Sequence, residues 1–361
     1  MTRDILTHRL SAEGLAQFKR LQDDAARAVA DRFFATHAAD YERFGARGRE
    51  ATLEDLAFHL EFLRPVLEFG LLQSMVDYLC WLDGVLAART VPVEHLALSL
   101  QWLAEYFGTH MDATHGAVVA GTLQAARTEY LAARTAPANP TLPVDQWPEA
   151  AALEAALLAG DQKEAFAVVM RCMDAGAPLV DVELRVIQPA LYRIGERWQA
   201  NEVSVAQEHM ATAIVQAVMT VGLMRSVASQ SNDRRVLLAC VEGNTHSIGL
   251  RMVADAFQLA GWHVQYLGAS VPSRALIQHA ADFSPHLVGL SVSFPHHLPV
   301  VKSVIEGLNE RLGNARPAVM IGGLAINRYQ MLAQVVAADA YGADAHAAVL
   351  HADRLLGGGI A

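Results

Sequence analysis

Hydrophobic and polar positions fall into three successive textures along the chain. From about Ser11 to Ala133 apolar residues recur three and four apart, without strand-like alternation, which predicts a wholly helical first region. The run Thr135–Trp147 breaks that rhythm with Pro137, Pro140 and Pro143 among polar residues and reads as a semi-extended linker. Helical periodicity resumes from about Pro148 to Ser229, with breaks at Gly160-Asp161, Gly176-Ala177-Pro178 and Gln199-Ala200-Asn201, a spacing that fits a four-helix bundle. After Ser229–Asp233 short apolar runs at 236–241, 262–267, 286–292 and 318–321 alternate with amphipathic helical segments, and Ala338–Tyr341 supplies a fifth run. That alternation predicts a doubly wound parallel sheet. The expected organisation is therefore multidomain, α followed by α/β, with borders at 1–134, 135–147, 148–230 and 231–361.

Composition narrows the function classes. A chain of 361 residues exceeds what one core usually organises, and 53% hydrophobic with 18% charged residues describes a well-packed protein. A formal charge of −10 and the lack of a Lys/Arg cluster argue against direct nucleic-acid binding. No apolar stretch is long enough for a membrane span, and the first residues lack the apolar core of a signal peptide. Cys80, Cys172 and Cys240 are scattered and odd in number, so a reducing cytoplasm is expected. Hydrolase, kinase and nucleotide-cyclase signatures are absent.

The segment with most chemical content is Gly243-Asn244-Thr245-His246-Ser247-Ile248-Gly249, between the first apolar run of the α/β region and the helical pattern Leu250–Ala260. A histidine on such a strand-to-helix loop sits outside the carboxyl ends of a parallel sheet, where ligands bind. Forty-one residues separate Gly249 from Ser291, and twenty-eight separate Ser293 from Gly322-Gly323. His-x-x-Gly, a serine and a Gly-Gly pair at these intervals resemble the cobalamin-binding signature of methionine synthase and the mutases. The resemblance implies a Rossmann-like cobalamin-binding domain. His246 would be the lower axial ligand to cobalt, and the displaced nucleotide tail would run past Ser291, Ser293, Gly322 and Gly323, where missing side chains leave room. A neutral imidazole suits cobalt. The family's aspartate two places before the histidine is here Asn244, whose amide oxygen is expected to accept the ring's second N–H.

Trp198 is followed, after nine residues, by Glu208-His209. This spacing resembles the cap of the light-sensing cobalamin photoreceptors best known as repressors of carotenoid synthesis. There the tryptophan and the Glu-His pair enclose the 5′-deoxyadenosyl group of adenosylcobalamin, whose Co–C bond is broken by light; Val205 is counted with this set. The family's cobalt-capturing histidine after the tryptophan is here Gln199, so water or His209 is expected on the upper cobalt face after illumination.

The first region does not resemble the basic DNA-binding module of those repressors. Arg32–Phe44 and Phe58–Pro65 resemble the globin-like domain of the photocobilins, receptors that carry biliverdin beside adenosylcobalamin. That resemblance implies a bilin site, for which His59, Arg64, Tyr106, His110 and His115 are the candidates, Arg64 as a propionate partner. Pro65 is expected to end the helix at Arg64. Cys80, in an apolar helical stretch, reads as a packing residue rather than a bilin attachment. His296-His297 line the same sheet end as Ser291 and are expected in a solvated loop. The whole implies a cytoplasmic signalling photoreceptor rather than an enzyme, with light-dependent homo-oligomeric assembly and a downstream protein partner. The alternative is a corrinoid methyl carrier of a methyltransferase system.

Overall fold

The computed structural model describes residues 9–42, 45–134 and 145–357. The chain divides into two compact units, Met1–Pro140 and Thr141–Ala361. Most of the expected linker, residues 135–144, lies outside the described residues, and Asp145–Trp147 form no regular element.

The first unit is helical among its described residues: α1 (Ala12–Thr36), α2 (Ala38–Tyr41), α3 (Gly45–Phe69), α4 (Leu72–Ala88), α5 (Glu94–His110) and α6 (Ala113–Ala133). Ser11 caps α1 by accepting from the N–H of Gly14, and Asp112 caps α6 by accepting from Thr114 and His115. Phe18, Leu63, Leu67, Leu79, Leu100, Phe107 and Tyr130 are fully buried between the helices, with the Phe18 and Phe107 rings 5.1 Å apart. α3 does not stop at Arg64; it runs through Pro65 to Phe69. Leu63, Val66 and Leu67, on both sides of the proline, are completely buried, and this burial outweighs the hydrogen bond the imide nitrogen cannot make.

The second unit opens with α7 (Glu149–Leu158), α8 (Gln162–Asp174), α9 (Leu179–Val182), α10 (Gln188–Gln199) and α11 (Val205–Arg225). Glu183–Ile187 form a π-helical turn that joins α9 to α10 into one bent rod, so four rods make the bundle, with breaks at the glycines and at Ala200. Leu153, Leu157, Val168, Val182, Val186, Val215 and Val218 fill its centre.

Five strands follow: β1 (Arg235–Val241), β2 (His263–Val271), β3 (Leu287–Ser291), β4 (Ala318–Gly322) and β5 (Ala340–Gly342), with helices α12 (Ile248–Leu259), α13 (Ser273–Phe283), α14 (Leu298–Leu312), α15 (Leu324–Arg328), α16 (Leu332–Val335) and α17 (Ala345–Gly357) between and after them. The strands are all parallel in the order β2-β1-β3-β4-β5. The chain reverses its winding between β1 and β3, so a crevice opens beyond their carboxyl ends. Val236–Val241 and Leu287–Leu290 are buried throughout, as continuous apolar runs in a sheet covered on both faces must be. Met252 and Ala256 of α12 and Ala345 of α17 join the core of the helical bundle, so bundle and sheet share one interior. No helix among the described residues is long and apolar enough to cross a membrane.

Candidate functional site

The crevice is built from the ends of three adjacent strands. Register pairs Cys240 of β1 with Ser291 of β3, and Ser291 with Gly322 of β4, so three signals far apart in sequence share one line across the sheet. Beyond β1 the chain turns through Glu242–Ser247 before α12 begins, and side chains fix this loop at several points. Glu242 accepts from the N–H and hydroxyl of Ser273 at 3.1 Å each, and the N–H of Gly243 donates to the Ser270 hydroxyl at 3.1 Å. Asn244 is fully buried; its amide NH2 donates to the Ser291 carbonyl at 2.9 Å.

His246 is held by its backbone. Its N–H donates to the Asn244 amide oxygen at 3.2 Å, and its carbonyl accepts from the Cys240 thiol at 3.6 Å. The expectation that Asn244 accepts from the imidazole is therefore corrected: its short side chain reaches the peptide N–H two residues on, a local turn-forming bond, and its NH2 is taken up by β3. Burial pushes the Cys240 thiol up to about 11, so it stays protonated and able to donate. His246 is exposed as a residue, with its ring edge-on to Phe294 at 5.1 Å. Loss of water around it still lowers its pKa below the ordinary value, while the Glu208 carboxylate pulls the other way. The ring is thus a neutral nitrogen donor.

His296 and His297 are not in a solvated loop. Their rings lie 4.0 Å apart, His296 stacks on Phe294 at 5.5 Å, and burial pushes them down to about 3 and about 4 respectively. The His296-His297 pair and Phe294 thus form a neutral aromatic wall beside His246.

Thr245 and Gly249 are exposed, Ser247, Ile248 and Ser293 half-buried, and Ser291 buried. The glycine pair has a structural cause nearer than any ligand. A Cβ on Gly322 would lie 2.9 Å from the Gly342 carbonyl oxygen; one on Gly323, at φ +103°, would lie 2.5 Å from that of Val292. At Gly249 a Cβ would meet nothing within 4 Å.

The bundle brings its own residues to this end. α10 ends at Trp198-Gln199, where Trp198 packs half-buried on the bundle core. Ser204 and Gln207 then form a capping box that fixes the first turn of α11, the Ser204 hydroxyl accepting from the Gln207 N–H and the Gln207 side chain from the Ser204 N–H. That turn presents Val205, exposed, and Glu208, which accepts from the Thr212 hydroxyl at 3.2 Å and pairs with His209 Nδ1 at 2.7 Å. The His209 side chain is 74% exposed.

Three residues that the sequence pattern does not single out meet where the π-turn packs on α12. Glu183 of the π-turn is fully buried against Asp255 of α12, which Arg251 holds at 2.7 Å. Both Glu183 oxygens and Asp255 Oδ2 meet no donor among the described residues, and burial, with Asp255 adjacent, pushes the Glu183 carboxyl well above the carboxylate range. A proton carried by Glu183 and donated to Asp255 satisfies the pair.

In the first unit the bilin candidates are distributed among separate clusters. His59 is 3% exposed and its Nδ1 is 2.9 Å from the Tyr78 hydroxyl; burial pushes it down to about 3. Arg64 approaches Glu68 at 3.8 Å. His110 stacks on Tyr106 at the end of α5, with Nδ1 against the Tyr106 carbonyl. His115 bridges Ser11 and Asp112 at the start of α6. A shallow groove of about 370 Å³ borders β2 and α13 in the second unit, and one of about 230 Å³ in the first is lined by Arg32, Trp102, Glu105 and Tyr106.

Two B12 binding domain families match the chain, one over residues 149–221 and one over residues 234–350, both inside the second unit. Dimethylamine corrinoid protein 3 of Methanosarcina mazei is 32% identical over 167 residues, 45% of this chain and 98% of that protein. The chain belongs to the B12-binding corrinoid proteins. This corrinoid protein is also 30% identical over 183 residues to the HTH-type transcriptional repressor CarH of Myxococcus xanthus, spanning 51% of its own length and 60% of the repressor's. The solved monomethylamine corrinoid protein of Methanosarcina barkeri is 20% identical, covering 56% of this chain and 96% of its own, at a TM-score of 0.48. The donor set fits a cobalt corrinoid: a neutral imidazole on an exposed residue of a hydrogen-bonded loop, and an open patch at Gly249 where a flat ring can approach the backbone.

Proposed function

We propose that this corrinoid protein is a light sensor that holds adenosylcobalamin between bundle and sheet, with His246 as the lower ligand to cobalt. The observation that carries this reading is that Trp198, at the end of α10, and Ile248, two residues after His246, pack against one core, which sets the bundle end beside the exposed His246 loop. Identity with the CarH repressor supports it. Adenosylcobalamin, when bound, supplies a cobalt–carbon bond that visible light breaks. Trp198 offers a flat apolar cover, and the Glu208 oxygens accept from ribose hydroxyls. Thr245, Ser247, Ile248, Gly249, Ser293, Gly322 and Gly323 would border the nucleotide tail, Asn244 and Ser291 would hold the loop from beneath, and Val205 would border the corrinoid on the bundle side. His209, exposed and adjacent to Glu208, would be the imidazole available to hold cobalt after illumination. Output passes through a change in bundle packing to assembly of further copies or to a partner protein, without direct nucleic-acid contact.

Biliverdin in the first unit extends the absorbed band in this reading. The groove at Trp102 and Tyr106 supplies aromatic walls and Arg32 a cation, but its volume is below the ~300–1,000 Å³ of sites that enclose such ligands, so uptake requires α1 and α5 to part.

The test is to load the full chain with adenosylcobalamin in darkness, illuminate it with green light, and record the absorption spectrum and hydrodynamic size. A spectral change with altered size supports the sensor; an unchanged spectrum overturns it. The near-complete coverage of the dimethylamine corrinoid protein favours a second reading, a methyl carrier. Methyl transfer from bound methylcobalamin in darkness, with no response to light, would establish that one instead.

A further inference from the structure

Among the described residues of the first unit, one cluster has no part in either reading. His37 closes the carboxyl end of α1, Asp40 lies in the single turn of α2, and His95 lies in the first turn of α5. Their nearest ligand atoms, two imidazole nitrogens and one carboxylate oxygen, all lie within 4.8 Å of one another.

The spacing within the cluster is informative. Asp40 Oδ2 is 3.5 Å from His37 Nδ1 and 3.6 Å from His95 Nε2. Hydrogen bonds between an imidazolium and a carboxylate are shorter, about 2.7–2.9 Å. The edge of a tetrahedron around a zinc ion bound at about 2.0–2.1 Å is about 3.3–3.4 Å. The two separations from Asp40 are therefore long for direct hydrogen bonding and close to those of donors sharing a small cation, with the two imidazole nitrogens within 4.8 Å of each other.

Backbone hydrogen bonds and ring packing hold the cluster in place. The His37 N–H donates to the Phe33 carbonyl at 2.7 Å, and the Asp40 N–H to the His37 carbonyl at 3.1 Å, which fixes the His-x-x-Asp turn. Phe33 packs against both imidazoles, with centroids 5.9 Å from His37 and 5.5 Å from His95, and Trp102 stands 4.5 Å from Phe33. The His95 side chain is only 12% exposed, whereas Asp40 opens to solvent, which gives an ion a path in. Two nitrogens and one carboxylate oxygen are the donor types of zinc and its first-row neighbours rather than of calcium or magnesium.

We propose that His37, Asp40 and His95 form a binding site for a divalent first-row transition-metal cation such as zinc. Three protein donors leave a fourth tetrahedral position to water. The ion ties the α1–α2 junction to the start of α5.

The test uses the full chain saturated with cobalamin, so that His246 is occupied and cobalt serves as an internal count. After equilibration with zinc chloride and dialysis, zinc and cobalt per chain are measured by inductively coupled plasma mass spectrometry, and zinc affinity by calorimetry. One zinc per chain is expected. Asp40→Asn, His37→Gln and His95→Gln each weaken binding more than about tenfold, the loss that even an outer-shell partner of a metal site can cause. Asp40→Asn alters an exposed side chain, so it reads the site even if the histidine variants misfold; unchanged cobalt and helical circular dichroism show that the fold is intact. Retention of zinc by Asp40→Asn at wild-type affinity, or no zinc retained by the wild-type chain, overturns the proposal.

Discussion

Replacing Gly249 with alanine separates what the fold needs from what the ligand needs. Gly249 is the second residue of α12, with no positive φ, and a methyl group there would have no neighbour within 4 Å. In a helix interior alanine exceeds glycine by about 0.8–1.0 kcal/mol; near the terminus roughly half of that is expected. The cobalamin-free chain should therefore gain about 0.5 kcal/mol, or about 1–2 °C in melting temperature for a unit of this size. Gly323→Ala is the opposite case. It places a side chain at φ +103° with its Cβ 2.5 Å from the Val292 carbonyl oxygen, so strain and overpacking together cost about 2–5 kcal/mol. If Gly249 is a glycine so that the corrin can approach the backbone, Gly249→Ala lowers cobalamin affinity at least tenfold, about 1.4 kcal/mol, despite the stabler fold. Thermal melts of the cobalamin-free variants and absorbance titrations with cobalamin measure the two quantities. Wild-type affinity in Gly249→Ala would refute the assignment of that position to ligand approach.

Other expectations follow from the same geometry. His246→Ala should weaken cobalamin retention more than about tenfold through gel filtration, and retention equal to wild type removes the axial-ligand role. His209→Ala should alter the absorption spectrum after illumination and leave the dark spectrum unchanged; identical illuminated spectra would exclude His209 from the upper face. The Glu183 carboxyl has its folded pKa raised by burial and by Asp255, so its contribution to stability is full below the unfolded value of about 4.3 and is lost as pH rises through the folded one. Glu183→Gln removes that slope, and urea midpoints at pH 5 and pH 8 should differ less in the variant than in the wild type; parallel profiles would show that Glu183 ionises normally.

The sheet was legible because strands covered on both faces read as unbroken apolar runs, and Val236–Val241 and Leu287–Ser291 do so. The bundle was legible because glycine and proline punctuate its rods. The loop around His246 was legible in position but not in bonding: whether an asparagine reaches a ring or a peptide N–H depends on side-chain length and on the carbonyl that β3 offers. Pro65 misled because its local preference yielded to the burial of Val66 and Leu67. The glycine pair lies at the carboxyl end of β4, and its nearest cause is contact with Val292 and Gly342, brought close only by strand register. His95 gave no signal because its neighbours His37 and Asp40 come from a distant turn, and Glu183 reads as an ordinary polar position in an amphipathic repeat.

The acid pair Glu183 and Asp255 stands where the helical bundle meets the sheet domain, and burial keeps a hydrogen on Glu183. Any motion that parts α12 from the π-turn admits water, returns the carboxyl to ordinary acidity and sets that hydrogen free at neutral pH. Opening of this unit in weakly buffered solution would then be followed by the colour of a soluble indicator dye, with no label on the protein.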